Sequence, residues 1–219
     1  MKPLKNLTEQ ESLEYLKSLE VPYPRHILVK EEKELLEVDL NYPLAMKISS
    51  PDILHKTDVG GVLLDLKNKQ EVEQGFQTIL ENVKKEKPGA RIEGVIVLEQ
   101  APDGRELIVG LSNDPTFGKV IMVGMGGVFT ELFQDVVFRV VPIVEEDAWD
   151  MIENIRGSAI LDGWRGKPAV DKSAIIQLLY DLSQFADTHP KLHSLDLNPV
   201  RVYEDGLIIL DVKATLVDE

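Results

Sequence analysis

The segment SPDILHKTDVGGV, residues 50–62, contains side chains that phosphoryl transfer can use. It places His55 beside Lys56 and shortly before the paired glycines Gly60 and Gly61. Imidazole is a nucleophile at neutral pH. Paired glycines let a ligand approach the backbone closely, and successive amides can then bind an anion. The residues alone leave two interpretations open: a capped surface turn, or a histidine that carries a phosphoryl group.

Lys47 is the second chemically unusual position, because it lies inside the apolar run LAMKI. Burial of a lysine without a partner is costly, so such a side chain points to water or to an anion. A lysine on an edge strand that reaches solvent fits this pattern. A ligand for phosphate fits it as well.

Asn198 and Asp211 lie 13 residues apart, on either side of the turn sequence Glu204-Asp205-Gly206. An Asp-Gly turn predicts a hairpin, which would bring the two side chains close together. Amide and carboxylate oxygens suit Mg²⁺, which takes its remaining ligands from phosphates and water. Asp196 is two residues before Asn198 and therefore shares its strand face. A polar hairpin face without a metal is the alternative.

A glycine-rich segment, VGMGGVFTE, follows a predicted strand and contains Gly124, Gly126 and Gly127. Its spacing matches neither the P-loop nor the dinucleotide-binding fingerprint, and by itself it is a weak signal for phosphate binding. Taken with the preceding residues, it predicts a nucleotide held between two lobes. One lobe supplies Lys47, the other supplies the magnesium pair, and the glycine loop covers the phosphates.

The elements that must position these residues follow from periodicity. The pattern predicts an α+β fold, with a hinge near residues 99–104. The predicted helices are one after the Thr8–Glu11 capping box, one in EEKELLEVDL, and those over 69–86, 147–155 and 172–187. The predicted strands lie in RHILVK, YPLAMKIS, GVLLDL, RIEGVIVLEQ, RELIVGLS, KVIMVGMGG and the two arms of the C-terminal hairpin.

Composition limits the classes of partner. The net charge of −14 opposes binding to nucleic acid and to anionic membranes, so we expect neither as a partner. Absence of cysteine excludes disulfides, thiolate metal sites and cysteine nucleophiles. The sequence contains no run of about 18 apolar residues. Its N-terminus lacks the apolar segment of a signal peptide, so we expect a cytoplasmic protein.

Four motifs in order carry a family resemblance: KISSPDILHKTDVGGV, ELIVGLSNDPTFG, GMGGVFTELFQDVVFR and LDLNPVRVYEDGLIILDVKA. From Leu13 to Leu216 the chain resembles the ATP-grasp β subunit of ADP-forming acetate–CoA ligases. It is more distantly similar to the β subunit of succinyl-CoA synthetase. The resemblance implies one ATP-grasp domain over residues 1–219. That domain would comprise an N-terminal helix, a small lobe over about 20–98 and a larger lobe over about 104–219.

The resemblance also implies roles for individual residues. His55 matches a histidine that relays a phosphoryl group, and Asp196 matches a carboxylate that orients it. Position 196 holds Asp where succinyl-CoA synthetases have the longer Glu. Asn198 and Asp211 match the magnesium ligands. The implied nucleotide-binding residues are Lys47 on phosphate, Glu99 and Ala101 on adenine, Glu106 near the ribose, and Gly126 and Gly127.

The implied cofactors are ATP or ADP and Mg²⁺. The implied partner is a CoA-binding α subunit in an α2β2 heterotetramer, because the CoA-binding domain and a second histidine lie on a separate chain or a fused half in this family. Two other functions stay open. One is a ligase that forms an acyl phosphate directly and does not need His55. The other is a nucleotide-sensing subunit that binds ATP without turnover.

Overall fold

The computed structural model describes residues 3–53, 55–127 and 135–218. The chain forms two compact units. The small unit comprises Thr8–Gln10 and Pro24–Pro102, and the large unit comprises Met1–Leu7, Glu11–Tyr23 and Asp103–Glu219. The predicted lobe boundaries stay a prediction. None of the helices in the described ranges has the length and apolar character that a membrane crossing requires.

Runs of strands are separated by one or two helices along the described part of the chain, as in an α+β fold. In chain order the elements are β1 Leu4–Asn6, α1 Glu9–Tyr15, β2 His26–Val29, β3 Leu44–Ser49, β4 Val62–Leu66, α2 Lys69–Glu86, β5 Gly94–Glu99, β6 Arg105–Asp114, β7 Gly118–Met125, β8 Val136–Val140, α3 Glu145–Glu153, α4 Lys172–Thr188, β9 Leu192–Val202, β10 Leu207–Ile209 and β11 Val212–Val217.

The small unit is an antiparallel sheet in the order β2-β5-β3-β4, covered by α2. The helix begins after Asn68, whose side chain accepts a hydrogen bond from the backbone N–H of Glu71, as a helix N-cap does. Its apolar residues recur every three or four positions and face β3 and β4. The buried residues of this helical face are Val72, Phe76, Ile79 and Val83.

Two helical predictions need correction in length. The segment EEKELLEVDL forms only a 3₁₀ helix over Glu32–Glu37, in which Leu35 is the buried residue. The first helix, α1, ends at Tyr15, and a 3₁₀ turn over Lys17–Leu19 follows it. The segment EEKELLEVDL buries only Leu35, too little packing to stabilise a longer helix, and Glu20 in the left-handed region ends the first helical segment.

The large unit is built on a sheet with the strand order β1-β11-β9-β6-β7-β8, and β10 pairs with β9. Helices α3 and α4 pack against each other and against β7 and β8. Burial alternates along β9, where Leu195 and Leu197 are buried and Asp196 and Asn198 are not. This alternation places the polar residues on the face opposite the core.

The predicted C-terminal hairpin is present, with an interruption. Gly206 adopts a positive φ of 77° in the turn, and its carbonyl accepts a hydrogen bond from Tyr203 N–H. β10 pairs with β9 through Leu207 and Val202, whereas β11 resumes the pairing at Val212. Asp211 therefore lies in the short break between β10 and β11.

Candidate nucleotide and phosphoryl-transfer site

Lys47 lies on an interior strand of the small unit, because β3 pairs with both β4 and β5. Its side chain is only 9% exposed, and its Nζ lies 2.5 Å from Glu9 Oε1. The interpretation of Lys47 as an edge-strand lysine that reaches solvent is therefore wrong. The buried ammonium is matched by a buried carboxylate, as the cost of burying a charge requires.

Lys56 shares the same carboxylate. Its Nζ lies 3.0 Å from Glu9 Oε2, and its side chain is 8% exposed. Sequence reasoning missed both Glu9 and Lys56 as site residues. Glu9 gives no local signal beyond its position at the start of a helix, since 38 residues separate it from Lys47.

His55 is exposed and immediately precedes Lys56 and the 3₁₀ helix Thr57–Val59. It borders a cavity of about 380 Å³, whose other lining residues are Asp52, Ile53, Asp58, Val59, Glu86 and Lys87. Within the described part of the chain, no side chain or backbone group hydrogen-bonds the His55 ring. An exposed imidazole without a fixed partner can accept a phosphoryl group from outside the chain.

The other three histidines have structural contacts. The His26 ring bonds to the Pro24 carbonyl and the Gln10 side chain, at 3.0 Å and 3.1 Å. The His189 ring stacks on Phe185, with 3.7 Å between the ring centroids. His193 Nδ1 lies 3.2 Å from the Asn113 side-chain amide. Among the histidines, these contacts distinguish His55 as the candidate for chemistry.

The paired glycines do not form the expected anion nest. Gly60 N–H donates to the Thr57 carbonyl at 3.0 Å, and Gly61 N–H donates to the Lys56 carbonyl at 2.8 Å. Gly60 has a φ of 62°, so the turn itself favours glycine. A Cβ at position 61 would lie 2.7 Å from the nearest Ile48 side-chain carbon. Backbone geometry and close packing therefore explain both glycines.

Asp52 borders the same cavity, but its carboxylate is hydrogen-bonded to Arg91. Its carboxylate accepts from the Arg91 backbone N–H at 2.8 Å and from Nε and Nη2 at 3.2 Å and 3.0 Å. The side-chain hydrogen bond from Arg91, followed by the backbone one, holds the pKa of Asp52 below its usual value. Asp52 thus stays ionised at neutral pH and fixes one wall of the cavity.

Glu99 ends β5 at the predicted adenine hinge. Its Oε1 accepts from Asn41 N at 3.0 Å, Asn41 Nδ2 at 2.8 Å and Arg25 Nη1 at 3.1 Å. The backbone hydrogen bond from Asn41 is the largest of the causes that lower the pKa of this carboxyl. The Glu99 side chain is therefore engaged within the small unit. Ala101 is half-buried and follows it in the same unit.

Glu106 and Gly126 meet in the large unit. Glu106 Oε1 accepts from Arg201 Nε at 3.0 Å and lies 3.0 Å from Arg201 Nη2, so the predicted ribose ligand is ion-paired. Gly126 N–H donates to the Glu106 carbonyl at 2.7 Å, and a Cβ there would lie 2.8 Å from Glu106 Cβ. The Gly126 amide is thus not directed at a phosphate, contrary to expectation. Gly127 is exposed, and residues 128–134 of the glycine-rich segment lie outside the described residues.

Asn198 and Asp211 are neighbours, as the hairpin predicts. Asn198 N–H donates to the Asp211 carbonyl at 3.1 Å. Asp211 Oδ2 lies 3.4 Å from Lys213 Nζ, and Lys213 is paired in register with Asp196. Sequence reasoning missed Lys213, although it is two residues from Asp211.

The oxygen donors at this hairpin suit a hard cation such as Mg²⁺. Within the described ranges, no group of three or more His, Cys, Asp and Glu side chains could hold a metal ion. Asn198 and Asp211 together offer one amide oxygen and one carboxylate. Mg²⁺ in nucleotide sites characteristically uses one or two carboxylates, with phosphates and water as its other ligands.

Three comparisons place the chain among known proteins. Residues 2–216 match the family model described as ATP-grasp domain. The β subunit of ADP-forming acetate–CoA ligase I of Pyrococcus furiosus is 40% identical over 212 residues, 96% of this chain and 91% of that protein. ADP-forming 4-hydroxybutyrate–CoA ligase of Nitrosopumilus maritimus is 41% identical over 96% of this chain, which spans only 31% of that longer protein.

Solved structures of similar proteins lead to the same family. Dinucleotide forming acetyl-coenzyme A synthetase 1 of Ca. Korarchaeum cryptofilum, in complex with coenzyme A, Ca-AMPCP and HgCl⁺, has a TM-score of 0.94 and 41% identity, covering 97% of this chain and 93% of that one. A second structure of that enzyme holds coenzyme A and Mg-AMPPCP, with its phosphohistidine segment pointing towards the nucleotide binding site. Its TM-score is 0.82 at 37% identity, with the same coverage.

The fold and the domain match define an ATP-grasp protein, and this match supports an adenine nucleotide as the ligand. The chain belongs to the ATP-grasp family of ADP-forming acetate–CoA ligase β subunits. The predicted fold class, family and enzyme class, an ADP-forming acid–CoA ligase, are thereby confirmed. The term β subunit implies a partner α subunit.

Proposed function

We propose that the chain binds the nucleotide in an ADP-forming acyl-CoA synthetase and that His55 carries the phosphoryl group between a partner's phosphohistidine and ADP. The net reaction converts acyl-CoA, ADP and phosphate to acid, ATP and CoA. The partner is a CoA-binding α subunit, assembled with this chain as an α2β2 heterotetramer. Co-purification followed by measurement of the complex mass tests that stoichiometry, and a 1:1 heterodimer would contradict it.

One observation carries the proposal: His55 is exposed beside a cavity, while the rings of the other three histidines are engaged by neighbours. A phosphoryl donor on another chain needs such access. The phosphohistidine segment of the Korarchaeum relative, which points towards that enzyme's nucleotide site, supports a donor of this kind.

The transfer has two steps. A ring nitrogen of His55 attacks the phosphorus on the partner's histidine, and a new N–P bond forms while the partner's N–P bond breaks. A terminal oxygen of ADP then attacks that phosphorus, the bond to His55 breaks, and ATP forms with a neutral imidazole left behind. Catalysis of this kind relies on positioning and on neutralisation of the phosphate oxygens.

The remaining site residues would supply those effects. Lys47 binds nucleotide phosphate, and Asn198 and Asp211 would hold Mg²⁺, which neutralises phosphate charge when bound. Asp196 would orient phosphorylated His55 through its carboxylate, a role supported by family resemblance alone. The other proposed nucleotide contacts are Glu99 and Ala101 with adenine, Glu106 with ribose, and Gly127 with phosphate; the contacts of Gly126 favour a packing role.

His55→Ala tests the relay. Wild-type chain incubated with its partner subunit, Mg²⁺ and γ-labelled ATP should acquire a label that is acid-labile and base-stable. His55→Ala should abolish both this label and the net synthesis of ATP, while ATP binding persists. His193→Ala, which removes a ring bonded only to Asn113 in the described contacts, is the matched control. Near-normal turnover of His55→Ala would favour the direct ligase. Nucleotide binding by wild type without label or turnover would favour the sensing subunit.

A further inference from the structure

Glu9 links two lysines through the two oxygens of one buried carboxylate. Lys47 Nζ lies 2.5 Å from Oε1, and Lys56 Nζ lies 3.0 Å from Oε2. The Glu9 side chain is 1% exposed, and all three residues belong to the small unit. This ionic cluster joins strand β3, the loop after it and the first residue of helix α1.

Backbone hydrogen bonds close these contacts into a ring. Ile48 N–H donates to the Gly61 carbonyl at 2.8 Å, and Gly61 N–H donates to the Lys56 carbonyl at 2.8 Å. The ring therefore runs from Lys47 to Ile48, Gly61, Lys56 and Glu9, and back to Lys47. Because His55 immediately precedes Lys56, the ring fixes the backbone beside His55 relative to the lysine of the adjoining strand.

Stability alone gives little reason for a cluster of this kind. Desolvation of buried ions often outweighs their attraction, and well-packed apolar side chains of similar volume are then as stabilising or more so. An ionic cluster does, however, set the positions of charged groups with strict geometry. Here it sets two ammonium groups, and one of them belongs to Lys56, the residue that directly follows the proposed phosphoryl carrier.

We infer that Glu9 is a positioning residue of the phosphoryl-transfer site, which holds Lys47 for the nucleotide phosphates and, through Lys56, holds the loop that bears His55. The inference rests on the proposed function, since it assigns Glu9 a role at that same site. Glu9 itself touches no substrate. Its loss should therefore change both nucleotide binding and transfer, whereas loss of Lys56 should change mainly transfer.

The test measures phosphorylation of His55 by γ-labelled ATP and Mg²⁺ in the full chain, with the rate at saturating ATP and the KM for ATP recorded separately. We expect Glu9→Gln to raise KM about 10-fold and to lower the rate about 10-fold. Lys56→Met should lower the rate about 10-fold while KM changes by less than about 3-fold, because the Glu9–Lys47 contact remains. Lys56→Arg, which keeps the charge, should restore most of the rate.

Two matched controls come from exposed ion pairs of the same unit. Glu73→Gln and Lys67→Met remove one partner each from the Lys69–Glu73 and Lys67–Asp65 pairs and should leave both constants unchanged. Circular dichroism verifies that each variant is folded at the assay temperature. If Glu9→Gln unfolds, the Lys56→Met and Lys56→Arg pair still decides the inference through the rate.

The outcomes separate this inference from the proposed function. If Lys47→Met raises KM and His55→Ala abolishes label, but Glu9→Gln and Lys56→Met behave like the controls, only the positioning role of Glu9 is overturned. Label that persists in His55→Ala overturns the proposed relay, and the role of Glu9 with it. An equal drop in the rate for Lys56→Met and Lys56→Arg would show that packing, and not charge, holds the loop.

Discussion

The proposed phosphate region of the small unit and the proposed metal region of the large unit handle charge differently. In the small unit, Glu9, Lys47 and Lys56 are almost fully buried and close a ring of contacts. In the large unit, Asn198 is exposed and Asp211 lies at a break between strands, with Lys213 at 3.4 Å. Buried pairing fixes the cations of the small unit in advance, whereas the large unit places an exposed amide near a carboxylate that is 16% exposed and ion-paired with Lys213.

The largest expected effect is a loss of stability on removal of a buried carboxylate, compared with removal of a partly exposed one. Glu9→Gln leaves two buried ammonium groups without their shared anion, so we expect it to lower the free energy of unfolding by about 3–5 kcal/mol. Glu106→Gln weakens an ion pair with Arg201 in which the side chains are 34% and 20% exposed, and should cost about 1 kcal/mol or less. Urea denaturation of both variants measures the difference, and equal losses would contradict the contrast.

The proposed metal region should affect turnover much more than stability. Asp211→Asn removes the carboxylate proposed for Mg²⁺, and loss of metal-derived charge stabilisation should slow phosphoryl transfer by about 10²-fold or more. Raising the Mg²⁺ concentration should recover part of the rate. Asp205→Asn, in the exposed turn of the same hairpin, serves as the control. A variant Asp211→Asn with an unchanged rate and Mg²⁺ dependence would remove Asp211 from the metal site.

Gly61→Ala should open the ring by overpacking. The new methyl would lie 2.7 Å from an Ile48 side-chain carbon and 2.9 Å from the Lys56 carbonyl oxygen. Displacement of these atoms should lower the free energy of unfolding by about 1–3 kcal/mol, as measured in urea. Combining it with Glu9→Gln should cost less than the sum of the two, because both changes break the same ring. Strict additivity would show that the ring does not act as one unit.

The smallest expected effect is on the stability of the protein at acidic pH. Hydrogen bonds from Arg91 hold the pKa of Asp52 below its usual value, which is about 3.9. A carboxyl whose pKa is lower in the folded state adds stability above its unfolded pKa and loses that contribution as the pH falls through its folded pKa. Asp52→Asn should therefore flatten the acid limb of the stability profile below about pH 4. Arg91→Met should have the same effect, and an acid limb like that of wild type in both variants would contradict the assignment.

Local patterns predicted the elements with strong sequence signals. Helix α2 was predicted over residues 69–86 and has these bounds, because an apolar repeat fills its inner face and Asn68 caps its start. The Asp-Gly turn likewise predicted the hairpin of β9 and β10. Strands β1 and β8 were missed, since they contain only three and five residues and depend on pairing with β11 and β7.

The candidate site was predictable by residue type but not by partner. A lysine in an apolar strand and a histidine before paired glycines drew attention to Lys47, which is buried, and to His55, which borders a cavity; their roles stay a prediction. The sequence could not reveal that Glu9 binds Lys47, because no periodicity connects residues on a helix and a distant strand. It also could not reveal that the Gly61 and Gly126 amides donate to backbone carbonyls, since glycine spacing does not specify which acceptor an amide finds.

The ring around Gly61 restrains the segment that follows His55. Residues 56–61 are anchored at both ends of the turn, by the Glu9 carboxylate and by the Ile48 amide. If His55 is the proposed acceptor, it is attached to this anchored segment and is stationary, and travel of the phosphoryl group between distant sites would fall to the donor. An enzyme arranged in this way confines its long-range displacement to one chain and keeps the nucleotide-binding chain as the fixed end of the path.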